Sequence, residues 1–272
     1  MGKNKKDSLG DRMKGNYENR SKTFLTRRMP CIIRLDGKAF HSFCRNLKKP
    51  YDQVFHKAMN ATLAYLCANI QGCKFGYTQS DEISLLLTDY DTLTTDAWFD
   101  YSVQKMCSIS ASMATWAFNK YFELYATEAA DAILTMQDAD IESKYLGALN
   151  KCMLNGGIFD ARCFNIPAYE VTNCFIWRQE DATRNAIQML AQAHFSHSEL
   201  HKKNTSQLQE MLWQKGINFN DMPIEFKRGV CCFKRVVERN GATRSEWYID
   251  KQCPIFTQDR EYIERVLPED TK

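Results

Sequence analysis

Short runs of alternating apolar and polar positions are interleaved along the chain with longer stretches in which apolar residues recur at helical spacing. From Pro30 to Asp36, Cys31, Ile33 and Leu35 fall on one face of an extended segment and Ile32, Arg34 and Asp36 on the other, since successive strand side chains point to opposite sides. Residues Gln53 to Ile70 carry Met59, Leu63, Leu66 and Ile70 at helical spacing, with Gln71-Gly72 as a glycine stop. Phe75 to Thr78 and Ile83 to Leu87 then read as two strands around a bend at Asp81-Glu82. A long helix is expected from Asp96 to Phe122, with Phe99, Val103, Met106, Ile109, Met113 and Ala117 on one stripe and Lys105 beside it. After the breaker Asn155-Gly156-Gly157, Phe159 to Ile166 forms another strand, which Pro167 ends.

That order, β-α-β-β-α-β, predicts an α+β fold. It is the ferredoxin-like arrangement of polymerase palm domains, an antiparallel sheet with both helices on one face and the other face free. Strands one and three are neighbours in it, so Asp36 and Asp81 are expected to approach each other. Beyond Pro167, Val171 to Ala193 reads as a helix with Thr183, Ala186, Ile187 and Leu190 on one stripe. Thr205 is expected to cap a shorter helix with Leu208, Met211 and Leu212. Gly229 to Val237, an Asn240-Gly241 turn and Glu246 to Ile249 read as a two-stranded ribbon. Residues 1 to about 8 are polar and expected to fray, Leu9 to Lys14 enter as a weak helix, and the polar end from about Gln258 is expected to be mobile. The organisation expected is an entry segment (1–29), a palm-like catalytic domain (30–167) and a helical and ribbon elaboration (168–272) packed on the palm as one structural unit.

Composition narrows the class without naming a chemistry. Of 272 residues, 44% are hydrophobic and 25% charged, which argues against a disordered or membrane-embedded chain. A net charge of +3 does not by itself announce a nucleic-acid binder. The 11 cysteines are odd in number, irregularly spaced and never Cys-x-x-Cys, so they are expected to be reduced, and the protein cytoplasmic. Met1-Gly2 opens like an acylation signal, but Lys6 stands where Ser or Thr is needed.

Two strand-end aspartates beside a turn that offers backbone N–H groups, Gly37 to His41, are what two-metal nucleotidyl transfer requires: hard oxygen ligands hold Mg²⁺, and amides cradle phosphate. The alternative is that Asp36 caps a turn and Asp81-Glu82 solvate a hairpin. His194, His197 and His201 have the spacing of zinc ligands on an unbroken helix, but Ser196 and Ser198 argue for a break. Asp160 and Arg162 fit a strand-edge ion pair, and Trp177, Trp213 and Trp247 fit packing roles.

The motifs Arg34-Leu35-Asp36-Gly37-Lys38-Ala39-Phe40-His41, Lys49-Pro50, Gln79-Ser80-Asp81-Glu82, Phe159-Asp160-Ala161-Arg162 and Lys227-Arg228-Gly229 together resemble the tRNA-histidine guanylyltransferase family over roughly residues 30 to 230. The resemblance implies a palm-like enzyme adding nucleotides in the 3′-to-5′ direction to the 5′ end of tRNA, with ATP and GTP as substrates, two Mg²⁺ ions and a homotetrameric assembly. It implies Asp36, Asp81 and the Gly37 carbonyl as metal ligands. It implies Asp36, Gly37, Lys38, Ala39, Phe40, His41, Ser80, Asp81, Lys105 and Lys49 around the nucleotide, and Arg178, Asn185, Lys227 and Arg228 toward tRNA. Where tRNA-histidine-specific members carry His-Ile-Asn-Asn-Leu-Tyr-Asn, this chain has Thr183-Arg184-Asn185-Ala186-Ile187-Gln188-Met189, keeping only Asn185. That departure points to the branch of Thg1-like proteins that repair truncated tRNA 5′ ends against a template. A single guanylate addition and a non-catalytic tRNA-binding palm are the other readings.

Overall fold

The computed structural model describes residues 8–135, 142–239 and 242–268. Its elements, in chain order, are α1 (Leu9–Asn16), β1 (Cys31–Gly37), α2 (Phe40–Phe43), α3 (Gln53–Asn69), β2 (Cys73–Gln79), β3 (Glu82–Leu87), α4 (Val103–Thr135), α5 (Ser143–Asn155), β4 (Phe159–Asn165), α6 (Ala168–His194), α7 (His197–Leu200), α8 (Thr205–Gln214), α9 (Ile224–Arg228), β5 (Val230–Arg239), β6 (Ala242–Asp250) and α10 (Glu261–Glu264). One six-stranded antiparallel sheet orders them β4-β1-β3-β2-β5-β6. The first four strands have the expected ferredoxin-like order, and the ribbon extends the same sheet through β5 against β2.

Alternation along β1 separates two cores. Cys31, Ile33 and Leu35 join Met59, Leu63 and Leu66 of α3 and Met106, Ala114 and Phe118 of α4. Ile32 turns to the opposite face, with Phe75, Tyr77 and Leu86 from the sheet and Val171, Phe175 and Ala182 from α6. The face expected to be free is therefore covered. The chain end contributes to that cover: Tyr262, Ile263 and Leu267 are buried there, and Tyr262 Oη donates to Asp250 Oδ2 at 2.5 Å, so the stretch from Gln258 to Leu267 is anchored where mobility was expected. A third cluster joins the end of α6 to α8 through Ala186, Ile187, Leu190, Leu208 and Leu212.

Several boundaries differ from the periodicity reading. Before α4, Phe99, Asp100 and Tyr101 adopt φ of 52°, 52° and 56°, a left-handed turn that delays the helix to Val103. Phe99 and Ile109 lie 40% and 39% exposed, off the buried stripe of Met106, Ser110, Ala114 and Ala117, because small residues line the side where the helix packs. Helix α5, which that reading lacked, buries Tyr145, Ala148, Leu149 and Cys152 at i, i+3, i+4 and i+7. Asn204, not Thr205, caps α8, in a reciprocal box with Gln207. Helix α3 closes at Ile70 in extended conformation, and Gly72, at φ 78°, belongs to the turn after it. The Asn240-Gly241 turn and residues 1–7 lie outside the described residues.

All 11 cysteines are free. Among the described residues no helix is long and apolar enough to cross a membrane.

Candidate active site

The hairpin from β2 to β3 turns at Ser80, whose φ of 54° reverses the chain so that Asp81 sits at the bend. Strand β1 pairs with β3 in the register Leu35↔Ile83 and Asp36↔Glu82, so the end of β1 lies beside the bend. The Gly37 amide donates to the Asp81 carbonyl at 3.0 Å, locking the two strand ends together. Burial pushes the Asp81 carboxyl above the ordinary carboxylate range; the Asp36 charge pushes the same way, opposed by the backbone and by Ser80 Oγ, which donates to Asp81 Oδ1 at 3.1 Å. Two carboxylates close enough to repel, one of them buried, form an electrostatic well that a hard cation relieves. No group of three or more His, Cys, Asp or Glu side chains forms a metal cage among the described residues. The donor set is oxygen-only and short of a full shell. It fits a Mg²⁺ ion that keeps water or substrate phosphate as its other ligands.

Glu82 points into a different arrangement. Arg178 of α6 donates from Nη1 to Glu82 Oε2 at 2.7 Å and reaches Asp181 at 3.3 Å, while Arg34 lies 3.8 Å from the same Glu82 oxygen. The Arg178 side chain is only 8% exposed. Burial raises the Glu82 pKa and the two arginines oppose that rise. These groups line a polar cavity of about 280 Å³ together with Asp36, Asp81, Ser80 and Asn185. Arg178, expected to meet tRNA, is thus an interior partner of the hairpin, and its exposed neighbour is Trp177.

A larger cleft of about 480 Å³ opens on the other side of Asp81, lined by His41, Arg45, Lys48, Lys49, Ser80 and Asn185 among others. Lys49 and His41 thus share this cleft with Asp81. In the turn after β1, the Gly37 and Lys38 amides are already engaged, with the Asp81 and Ile158 carbonyls. The Ala39, Phe40 and His41 amides have no acceptor among the described residues, so the cradle is narrower than the whole turn. Phe40 contributes backbone only, since its ring is buried among Phe43, Phe118 and Phe159. Gly37 is required by that ring: a Cβ there would stand 2.5 Å from Phe40 Cδ2.

Lys105 is not brought to this site. It is exposed near the start of α4, where the Val103 carbonyl approaches Cys163 at 3.9 Å, toward the Cys31–Asn165 end of the strands and away from Asp36. Lys227 and Arg228, expected toward tRNA, lie at the end of α9, and the Lys227 ammonium is taken up within the chain. Lys227 Nζ donates to the Asn220 carbonyl, whereas at Arg228 it is the backbone that is engaged, its carbonyl accepting from Tyr77 Oη at 2.8 Å. Asp160 and Arg162 form an exposed pair at 3.3 Å on the edge strand. The three histidines do not share a helix, because α6 ends at His194 and Ser196 starts α7 with a capping box.

Motif reading left Arg34, Arg45, Lys48 and the wall behind them unassigned. Asp52 caps α3 by accepting from the Phe55 amide at 3.0 Å, and also accepts from the Lys48 amide at 3.0 Å and from Tyr145 Oη at 2.8 Å. Lys48 itself spans Glu142 at 3.0 Å and the Tyr145 ring at 4.4 Å. The signal for Arg34 was its place two residues before Asp36 on the same strand face. Tyr145, 93 residues from Asp52, left no local signal.

Comparison with known proteins adds a lineage to this geometry. A family model described as tRNAHis guanylyltransferase (Thg1) matches residues 10–167. An uncharacterized protein of Acanthamoeba polyphaga mimivirus is 30% identical over 274 residues, covering 96% of this chain and 88% of that protein. A bacterial tRNA(His) guanylyltransferase (Thg1)-like protein solved in complex with ATP superposes with a TM-score of 0.78 at 42% identity, covering 95% of this chain and 98% of the other. A bacterial Thg1-like protein in complex with GTP gives a TM-score of 0.75 at 40% identity, over 96% and 99% of the two chains.

Proposed function

Since the chain belongs to the tRNAHis guanylyltransferase family and is a nucleotidyltransferase, we propose that it adds nucleotides to the 5′ end of tRNA in the 3′-to-5′ direction against a template, repairing truncated ends. The observation that carries the reading is the Asp36–Asp81 pair, with Asp81 lining both cavities, the cleft that carries His41, Arg45, Lys48 and Lys49 and the polar cavity that carries Asp36, Arg34, Glu82 and Arg178. Two reactants meeting at one pair of carboxylates need separate approaches, which the two cavities offer. Similarity to bacterial Thg1-like proteins solved with ATP and with GTP supports nucleoside triphosphates as the substrates. Loss of all but Asn185 from the tRNA-histidine signature favours repair over a single guanylate addition.

In this reading Asp36, Asp81 and the Gly37 carbonyl hold two Mg²⁺ ions. When bound, such ions neutralise charge on the phosphates and make the attacking hydroxyl more acidic. Lys49, His41 and the open amides of Ala39 to His41 orient the triphosphate in the larger cleft. Ser80, by hydrogen-bonding Asp81, holds that carboxylate in one rotamer. Assembly into a homotetramer in the cytoplasm belongs to the same proposal. Incubation of a 5′-truncated tRNA with ATP, GTP and Mg²⁺ is expected to lengthen it at the 5′ end and release pyrophosphate, with Asp36→Ala and Asp81→Ala inactive. Absence of 5′ extension by the wild type, or Asp36→Ala as active as wild type, overturns it.

A further inference from the structure

Trp177 sits on α6 and is 48% exposed, although Phe175, Arg178 and Gln179 around it are buried. Beneath it the Arg178 guanidinium packs 3.7 Å from the ring centroid and is itself held by Glu82 and Asp181. Arg34, which lines the polar cavity beside Asp36, is 5.8 Å from the same centroid. The ring is therefore a plate held from below and open to solvent, one guanidinium away from Glu82, the residue that follows Asp81. On the same side of the sheet, β4 pairs Phe164 with Ile32, Arg162 with Arg34 and Asp160 with Asp36, so a track of aromatic and arginine residues leads along the edge strand toward Asp36. Tyr169, two turns before Trp177 on the same helix, is 76% exposed. Exposed aromatic rings interleaved with arginine, converging on acidic strand ends, suit a single-stranded nucleic-acid end, whose bases stack while its phosphates meet the cations.

We propose that Trp177 is a stacking platform for the nucleobase at the 5′ terminus of the RNA acceptor, holding that terminus over the polar cavity. The proposal rests on the reading of the chain as an enzyme acting on a tRNA 5′ end. It differs from the phosphate and metal contacts in predicting dependence on a base and not on charge.

The test is a cycle between protein and RNA. Fluorescence anisotropy measures affinity for a 5′-truncated tRNA and for the same RNA with an abasic 5′-terminal nucleotide, with wild type, Trp177→Ala and Trp177→Phe. One stacked base accounts for about a tenfold change in affinity. Wild type is expected to lose about that factor on the abasic RNA. Trp177→Ala is expected to lose it already on intact RNA and nothing further on abasic RNA, and Trp177→Phe to keep most of it. An abasic penalty in Trp177→Ala equal to that of wild type overturns the platform while leaving the enzyme reading standing. Dissociation of an oligomer by Trp177→Ala, with that penalty unchanged, assigns the surface to a second copy of the chain and likewise overturns it. Failure of wild type to bind either RNA removes the tRNA reading itself.

Discussion

The ion pair between Arg178 and Glu82 allows a quantitative test of how the catalytic hairpin is held. With side chains 8% and 22% exposed and a 2.7 Å hydrogen bond, it joins α6 to the first residue of β3, next to Asp81. Removing one member of a fully buried pair costs about 3–5 kcal/mol because the other charge is stranded. Here Arg34 at 3.8 Å remains near Glu82, so Arg178→Met is expected at the lower end, about 3 kcal/mol. For a domain of this size that corresponds to a fall in Tm of roughly 6 °C. Glu82→Gln leaves Arg178 paired with Asp181 and still offers it an amide oxygen, so about 1–2 kcal/mol is expected. The double variant strands neither charge and is expected to cost less than the sum, with a coupling of about 2 kcal/mol. Urea denaturation of the four proteins in a chelating buffer measures the cycle. Additivity within about 0.5 kcal/mol would show that the two groups do not sense each other and would refute the argument.

Two further outcomes concern neighbouring residues. His56 lines the larger cleft against Tyr51, Phe55 and Phe226, and burial, with Lys251 nearby, drives its pKa from 6.5 down to about 4. The unfolded chain then binds a proton that the folded chain refuses, so stability falls as pH drops through 6.5 and levels off below 4, a loss of at most about 3 kcal/mol. His56→Gln is expected to flatten that part of the stability profile, and a profile parallel to wild type contradicts the assignment. Gly37→Ala forces a Cβ against the Phe40 ring, itself fixed by Phe43, Phe118 and Phe159, and is expected to cost about 1–3 kcal/mol. Because the strain falls at the end of β1, nucleotidyl transfer is expected to drop more than stability. A variant with wild-type kcat and Tm would mean that the ring moves aside freely.

The features legible in the sequence share one property, a local period tied to burial. A slip of one residue in β1 would turn Cys31, Ile33 and Leu35 toward the wrong core, so alternation alone places Arg34 and Asp36 on the opposite face and specifies which end of the strand carries the acid. The features that were not legible depend on partners far along the chain. Tyr262 and Ile263 lie in a polar stretch and gain their environment from Phe75 and Phe233. The left-handed turn at Phe99 to Tyr101 is imposed on three non-glycine residues by burial of Trp98 and Tyr101, which no propensity foretells.

At the adjacent residues Trp177 and Arg178, the same dependence on a distant partner decides function. A motif match carries both residues over together, and charge alone would send the arginine toward RNA and the tryptophan into the core. Glu82, 96 residues away, reverses that assignment, because its buried carboxylate draws the guanidinium inward. The ring is left as the outer surface of the pair. Exposure at this position is thus decided by the carboxylate next to Asp81. The hairpin that supplies the acid also determines which side chain of α6 faces the solvent beside it.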